Sequence, residues 1–386
     1  MIPQLTDYQI TKTLYQSTKS VLYLAKRNND GQPVVIKMLN NAYPNHQQIA
    51  RFLHEFDIHQ KLNDISGIAT VYGIENCGHQ QALILEYVAG GELSSLLNKK
   101  NNNFIELFFQ TAIQIADTLS EIHQRHIIHK DIKPKNILWQ PDSQRIKIID
   151  FSIASELSQE KQSQSSQLTG SLPYMSPEQT GRMNRAVDYR SDFYSLGVTF
   201  YKLLSGELPF DADENDPIAW VHCHIAKEPK PLFIDEYGIA SALTAIIHKL
   251  MAKNAEHRYQ SALGLKNDLE YCYQQWQQTG CINHFIAGQF DFSERFDIPQ
   301  KLYGREQEVE LLSHAFSDIA TGKSQLFLVN GFSGIGKSAL INEIHKPIVA
   351  KHGYFIHGKF DQFQRNIPYY AISQAFRGLM KQLLTE

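Results

Sequence analysis

His129-Lys130-Asp131-Ile132-Lys133-Pro134-Lys135-Asn136 is the densest chemical signal in the chain. A carboxylate, a lysine and an amide follow one another between a helical stretch and the apolar run Ile137-Leu138-Trp139. Downstream, Ile146-Lys147-Ile148-Ile149 reads as a strand that delivers Asp150-Phe151-Ser152. Phosphoryl transfer from ATP needs parts of this kind. One carboxylate orients the attacking hydroxyl, oxygen ligands hold Mg2+ on the phosphates, and a cation steadies the transferred group. Upstream, Lys37 closes the β-rich run Val34-Val35-Ile36-Lys37. Glu55 lies on a helical stretch with Ile49, Phe52, Leu53, Phe56 and Leu62 on one face. A buried lysine placed by a glutamate can grip the α/β-phosphates. Taken singly, an aspartate in a turn is usually a cap, and a Lys–Glu pair usually lies on a surface. Their joint order is what points to phosphoryl transfer.

The surrounding pattern supplies two lobes. Val21–Ala25 and Val34–Lys37 are β-rich, with an Asn-Asn-Asp-Gly turn at 28–31, and further strands are expected near 68–75 and 82–88. After Gly90-Gly91 the periodicity becomes helical, over 104–124, 192–205, 239–252 and 261–278. Residues 155–168 are rich in Ser and Gln and read as a loop within this domain.

These residues resemble the eukaryotic-type protein kinase family, over about 8–272. HKDIKPKN is similar to its catalytic loop, DFS to its DFG, VVIK to its VAIK and Ser176-Pro177-Glu178 to its APE. Ser191-Asp192-Phe193-Tyr194-Ser195-Leu196-Gly197 resembles the helix that anchors the catalytic loop, and Arg258 the late arginine that pairs with the APE glutamate, here Glu178. The resemblance implies a two-lobed α+β fold, with a β-rich N-lobe and a helical C-lobe. It implies that Asp131 orients the substrate proton and that Lys133 stabilises the phosphoryl group. Asn136 and Asp150 would bind Mg2+, and Lys37 held by Glu55 would bind ATP. Leu14, Leu22, Glu86 and Val88 would surround the adenine, with Leu85 and Tyr87 in the same hinge. Lys133, together with Ser171 in Gly170-Ser171-Leu172-Pro173-Tyr174, resembles the serine/threonine class.

The chain departs from that pattern at three places. The phosphate-cradling loop has the form GxGxxGxV in the family, but here Leu14-Tyr15-Gln16-Ser17-Thr18-Lys19-Ser20-Val21-Leu22 contains no glycine. Glycine lets backbone N–H groups approach phosphates closely, and the side chains of Ser17, Lys19 and Ser20 are the donors at hand to compensate. Ser152 replaces the DFG glycine. Lys130 replaces an arginine, and as a non-bidentate clamp it argues against switching by phosphorylation at Thr169, Ser163, Ser165 or Ser166. Two readings stay open: an active serine/threonine kinase, or a pseudokinase that senses nucleotide with little transferase activity.

There is a second phosphate motif. Gly331-Phe332-Ser333-Gly334-Ile335-Gly336-Lys337-Ser338 matches GxxxxGK[ST], after the apolar run Leu326–Val329 and before a helical stretch. In that setting Gly331, Gly334 and Gly336 shape the loop, Lys337 reaches the β/γ-phosphates, and Ser338 meets Mg2+. Leu302-Tyr303-Gly304-Arg305-Glu306 resembles the entry motif of AAA-type signalling ATPases. No later strand ending in an acidic residue is visible. The organisation expected is therefore a kinase domain at 8–272, a linker at 273–300 and the N-terminal fragment of an α/β P-loop ATPase at 301–386. Gly170 to Arg185 and Gly358-Lys359-Phe360-Asp361-Gln362-Phe363 resemble a bacterial group of hybrid sensors. There a kinase domain precedes an AAA-like ATPase, a sensor domain and a histidine kinase. The implied partners are a protein carrying a Ser or Thr acceptor and such downstream modules.

Composition fits this reading. The chain has 386 residues, 42% apolar and 20% charged, and a net charge of −3. That balance argues against a nucleic-acid binder driven by bulk charge. The four cysteines form no CxxC pair, so neither a disulfide framework nor a zinc site is expected, and a cytoplasmic setting fits. No apolar run is long enough to span a membrane, and no signal peptide is expected. His222 and His224 flank Cys223, but helical spacing points them apart.

Overall fold

The computed structural model describes residues 5–383 apart from 42, 79, 97–102, 161–169, 184, 214–215, 235–237, 283, 290, 293–303, 320–321, 333, 345–346, 349–352 and 361–367. The sequence-based candidates Ser163, Ser165, Ser166, Thr169, Ser333 and Asp361-Gln362-Phe363 lie outside the described residues.

The N-lobe is an antiparallel sheet of β1 (Tyr8–Gln16), β2 (Ser20–Arg27), β3 (Pro33–Leu39), β4 (Val71–Cys77) and β5 (Gln80–Glu86) in the order β1-β2-β3-β5-β4. Alternation sets its buried face. Val34, Ile36 and Met38 of β3 are buried with Ala25, Ala82 and Ile84. The register places Lys37 between Leu22 and Leu83 on the neighbouring strands. Helix α1 (His46–Lys61) begins with a capping box, Asn45 with Gln48, and buries Phe52, Glu55, Ile58 and His59. The face expected from apolar spacing is thus rotated to include a glutamate and a histidine.

The C-lobe is built on helices. After β6 (Gly91–Glu92) and α2 (Leu93–Leu96), α3 (Phe104–Gln124) spans the residues that its periodicity predicts. β7 (Ile127–Ile128) leads into the catalytic-loop sequence, and β8 (Ile137–Gln140) and β9 (Arg145–Ile148) come after it. β10 (Ser155–Glu156) pairs with β7 and runs into α4 (Leu157–Glu160). Helix α5 (Arg190–Ser205) is buried on nearly every face, as a central helix must be. At Gly197 a Cβ would come within 2.8 Å of Leu250 and 2.7 Å of Met251, so the absence of a side chain lets α7 (Ala240–Leu250) approach. Helix α6 (Pro217–Ile225) is capped by Asp216, and α8 (Ala262–Thr279) packs along α3.

The stretch expected as a linker begins inside α8 and continues as a strap bound to the C-lobe. Gly280 ends α8 in a left-handed conformation, and Ile282, 6% exposed, donates its N–H to Gly238 O at 2.7 Å. Gly288 N donates to Asp268 at 2.6 Å. Asp291 accepts from the N–H groups of Gln260 and Ser261 at 2.5 and 3.0 Å, and from the Ser261 hydroxyl at 2.9 Å. The chain therefore doubles back from the end of α8 to its beginning.

In the C-terminal part, α9 (Glu306–Ile319) buries Leu312 and Ala315, α10 covers Lys337–Asn342, and a further helix covers Tyr370–Leu383. The apolar run Leu326–Val329, whose composition suits a strand, does not form one. Leu326 and Leu328 are 87% and 90% exposed, and no described strand pairs with this run. An apolar run becomes a strand by finding a ladder partner, which its own sequence does not supply.

His224 is fully buried among Tyr194, Phe210 and Trp220. Its Nε2 faces the Leu172 carbonyl at 2.8 Å, which accepts only, so Nε2 carries the proton and Nδ1 accepts from the Tyr194 hydroxyl at 3.0 Å. Among the described residues no group of three or more His, Cys, Asp or Glu is placed to hold a metal. Burial lowers the His224 pKa to about 3, with only part offset by the Leu172 bond. The folded state holds this ring neutral, whereas an unfolded chain protonates it below about pH 6.5. Its contribution to stability is complete above that pH and declines as pH falls toward 3. Thermal melts should show this decline, and His224→Gln should make it shallower.

Candidate functional site

The site lies where the N-lobe sheet meets the catalytic-loop sequence. Lys37 Nζ lies 2.6 Å from Glu55 Oε1 and 2.9 Å from Asp150 Oδ1. Lys37 and Glu55 are 7% and 4% exposed. Burial works against the Lys37 charge, but the two carboxylates outweigh it and hold its pKa above the usual lysine value. Burial likewise pushes Asp150 up, yet the Lys37 ammonium prevails and leaves its carboxyl below the usual range. Glu55 is pushed up by burial and by the Asp150 charge, which Lys37 only partly offsets. One ammonium thus serves two carboxylates, and it favours the charge of Asp150 more than that of Glu55.

Asp131 belongs to a second set of contacts. Its Oδ1 accepts from Ser171 N at 3.1 Å, and its Oδ2 from Lys133 Nζ at 2.6 Å and Asn136 Nδ2 at 3.1 Å. Lys133 also reaches the Ser171 hydroxyl at 2.6 Å. Asn136 gives a second hydrogen bond to the Asp131 carbonyl at 2.9 Å, so its amide oxygen is the atom it can offer a cation. An amide oxygen and an ionised carboxylate suit Mg2+, which takes few protein ligands and fills its remaining positions with water and phosphate oxygens.

The backbone beneath is held from the C-lobe. Asp192, fully buried on α5, accepts from His129 N at 3.0 Å, Lys130 N at 2.7 Å and His123 Nε2 at 2.8 Å. Burial would raise its carboxyl, but the hydrogen bond and charge of His123 and the bond from His129 N keep it below the usual range. These bonds fix a chain that turns through a left-handed residue at Lys130 (φ 66°), and Asp150 also has φ 66°. Non-glycine residues hold such a conformation only where their surroundings dictate it. Phe151 is inserted between the rings of His59 and His129, 4.7 Å from each. It thereby ties α1 to the catalytic loop. Burial drives the His59 pKa down to about 3, so this ring is neutral and acts as an aromatic spacer.

Farther out, Arg258 forms a bidentate pair with Glu178 at 2.7 and 2.9 Å, and Ser191 Oγ adds a bond to the same carboxylate at 2.6 Å. Burial opposes this charge, but Arg258 overcomes it and Glu178 is lowered to about 2. Lys130, at the arginine position of the family motif, donates to Glu160 at 2.8 Å. The segment after DFS thus brings its own carboxylate to Lys130.

Among the remaining sequence-predicted residues, Val88 is buried, Leu14 is 40% exposed, and Leu22 lies beside Lys37 in the sheet. The Glu86 carboxylate is occupied by Thr70 N at 2.9 Å and Lys147 Nζ at 3.1 Å, not by anything in the cleft. In the second motif Gly331, Gly334 and Gly336 have φ of 158°, 84° and 91°. Lys337, at the start of α10 beside Ser338, folds its ammonium onto the carbonyls of Gly331 and Phe332, both at 2.8 Å. Sequence reasoning missed His59 and the Lys130–Glu160 pair. A histidine four residues after Glu55, and an acidic residue three after Leu157, were the available signals.

A lysine paired with a helix glutamate and a loop aspartate, together with a second aspartate held by lysine and asparagine, is the set of groups that phosphotransferases using ATP bring together. The protein kinase domain family matches residues 8–269, and the chain belongs to that family. The AAA ATPase domain family matches residues 301–386. The chain is 37% identical over 238 residues to hybrid signal transduction histidine kinase G of Dictyostelium discoideum, covering 56% of this chain and 7% of that protein. It is 31% identical over 274 residues to serine/threonine-protein kinase PknB of Mycobacterium leprae, covering 69% of this chain and 43% of that protein. A probable serine/threonine-protein kinase of Clostridium perfringens is 29% identical over 264 residues, covering 68% and 38%. The chain spans less than half the length of these curated relatives. Among the described residues no helix is long and apolar enough to cross a membrane.

Proposed function

We propose that the chain transfers the γ-phosphoryl group of ATP to a serine or threonine hydroxyl of a protein. The observation that carries this reading is the Asp131 carboxylate, held by Lys133, Asn136 and Ser171, together with the Lys37–Glu55–Asp150 group. The substrate hydroxyl oxygen bonds to the γ-phosphorus as the bond to the bridging oxygen breaks, and ADP leaves. The hydroxyl proton passes to Asp131. Lys133 faces the negative charge of the transferred group, and Lys37 holds the α/β-phosphates. Asn136 and Asp150 would hold Mg2+, which neutralises phosphate charge when bound. Leu14, Leu22 and Val88 enclose the adenine, with Glu86 in the hinge.

We assign the kinase domain to 8–272 with the strap as its continuation, and the ATPase portion to 301–386. Gly331, Gly334, Gly336, Lys337 and Ser338 form the second nucleotide site. A hybrid histidine kinase among the relatives, together with the AAA family match, supports a place in a larger signalling protein.

A second reading, a nucleotide sensor with little transferase activity, is favoured by the glycine-less loop alone. Labelled ATP with Mg2+ and a generic Ser/Thr protein substrate separates the two. Incorporation by the wild type that falls at least about 100-fold in Lys37→Met supports the kinase. A folded wild type with no incorporation favours the sensor.

A further inference from the structure

The β1–β2 turn is closed on itself. Ser17 Oγ accepts from the N–H groups of Lys19 and Ser20 at 3.2 and 3.1 Å, and its own hydrogen points to Ser20 O at 3.2 Å. Ser17 N bonds Ser20 O at 2.9 Å, and the Ser17 carbonyl is turned out to Asn40 Nδ2 at 2.5 Å. Asn40 N also holds Lys19 O at 3.0 Å, which fastens the turn to the end of β3. A hydroxyl has one hydrogen to give and two lone pairs to receive, so the Ser17 side chain is fully committed. It is not the phosphate donor that its position suggests. It instead consumes two of the backbone N–H groups that a phosphate-cradling loop presents to its ligand.

We propose that Ser17 is a positioning residue that locks this turn shut, so that the loop roofs the nucleotide without gripping its phosphates. The phosphate end is then held from Lys37 and from the residues about Asp131. Affinity for nucleotide then rests on the adenosine end more than where a glycine-rich loop grips the phosphates. This rests on the cleft being the ATP site.

The test is calorimetric binding of MgADP and of adenosine to the full chain, for wild type, Ser17→Gly and Ser17→Thr. Binding does not depend on phosphoryl transfer, so the inference is tested even if the chain transfers nothing. Ser17→Gly frees both N–H groups, and MgADP should bind about tenfold tighter, or about 1.4 kcal/mol. Adenosine should be unchanged, and Ser17→Thr, which keeps the hydroxyl, should match wild type. A general loosening of the lobe would move adenosine as well, and that result overturns the proposal. So does MgADP affinity that is equal or weaker in Ser17→Gly. If transfer activity persists in that case, the kinase reading stands without it. MgADP binding to none of the proteins overturns both. If Ser17→Gly does not fold, Ser17→Ala releases the same groups and is read in the same way.

Discussion

Asp131→Asn should lower phosphoryl transfer by about 100- to 10,000-fold, the range that a positioned proton acceptor contributes. The side chain keeps its size, and one amide oxygen can still accept from Ser171 N, so the fold should survive. What changes is Oδ2. It now accepts from both Lys133 and Asn136. An NH2 group there would face two donors, and an amide that flips to avoid them turns its NH2 to Ser171 N instead. Either way the basic carboxylate that receives the substrate proton is replaced by a neutral amide, and Lys133 loses its counter-charge. MgADP affinity should remain close to wild type, because Lys37, Glu55 and Asp150 are untouched. Transfer that survives undiminished in Asp131→Asn, measured with labelled ATP, would remove Asp131 from the chemistry.

The second large effect is on stability. Arg258 and Glu178 are 1% and 3% exposed, and the guanidinium donates to Glu178, Ala252 O, Arg190 O and Lys253 O. Arg258→Ala strands a carboxylate in the interior and leaves three carbonyls without their donor. Breaking a buried pair from one side costs about 3–5 kcal/mol. For a domain of this size that lowers the melting temperature by about 10 °C. Glu178→Gln should cost less, because it keeps the Ser191 contact and an acceptor oxygen for Arg258. The same pair carries an acid signature. Glu178 is lowered to about 2, so its contribution is whole above about pH 4.5 and is lost as pH falls toward 2. That window overlaps the one set by His224 between about pH 3 and 4.5. Glu178→Gln should therefore reduce the acid destabilisation below about pH 4.5 and leave the decline between about pH 6.5 and 4.5 in place.

Where local rules decide the outcome, the sequence is readable. The α3 helix comes from 21 residues of regular periodicity, and Glu178 with Arg258 from their place in two motifs. Lys37, Glu55 and Asp150 come together because a strand register, a helix face and a loop are fixed separately and then packed. Other features turn on contacts that no local pattern encodes. His59 occupies an apolar slot beside Phe151, where hydrophobic spacing does not look for a histidine. The hydroxyl of Ser17 reads as a donor for phosphate, but the turn geometry makes it an acceptor for the backbone. Leu326–Val329 has strand composition but no described partner. The stretch after Gly280 reads as a linker by its glycines and polar residues. Its placement is set by Ile282 and by Asp291, whose carboxylate meets the start of a helix some 30 residues earlier in sequence.

That strap decides where the ATPase portion is tethered. Had the chain left the lobe at Gly280, the ATPase portion would hang from the far end of α8, whose 18 residues span about 27 Å. It departs instead beside Ser261, at the opposite end. Whatever path residues 293–303 take, they can reach no farther than about 40 Å from that point. The pivot of the leash is thus the Asp291 anchorage on Gln260 and Ser261, and the Gln260 side chain accepts from Arg190 at 2.9 Å. A pull on the leash bears first on Gln260 and Ser261 at the start of α8, and through the Gln260 side chain on the start of α5.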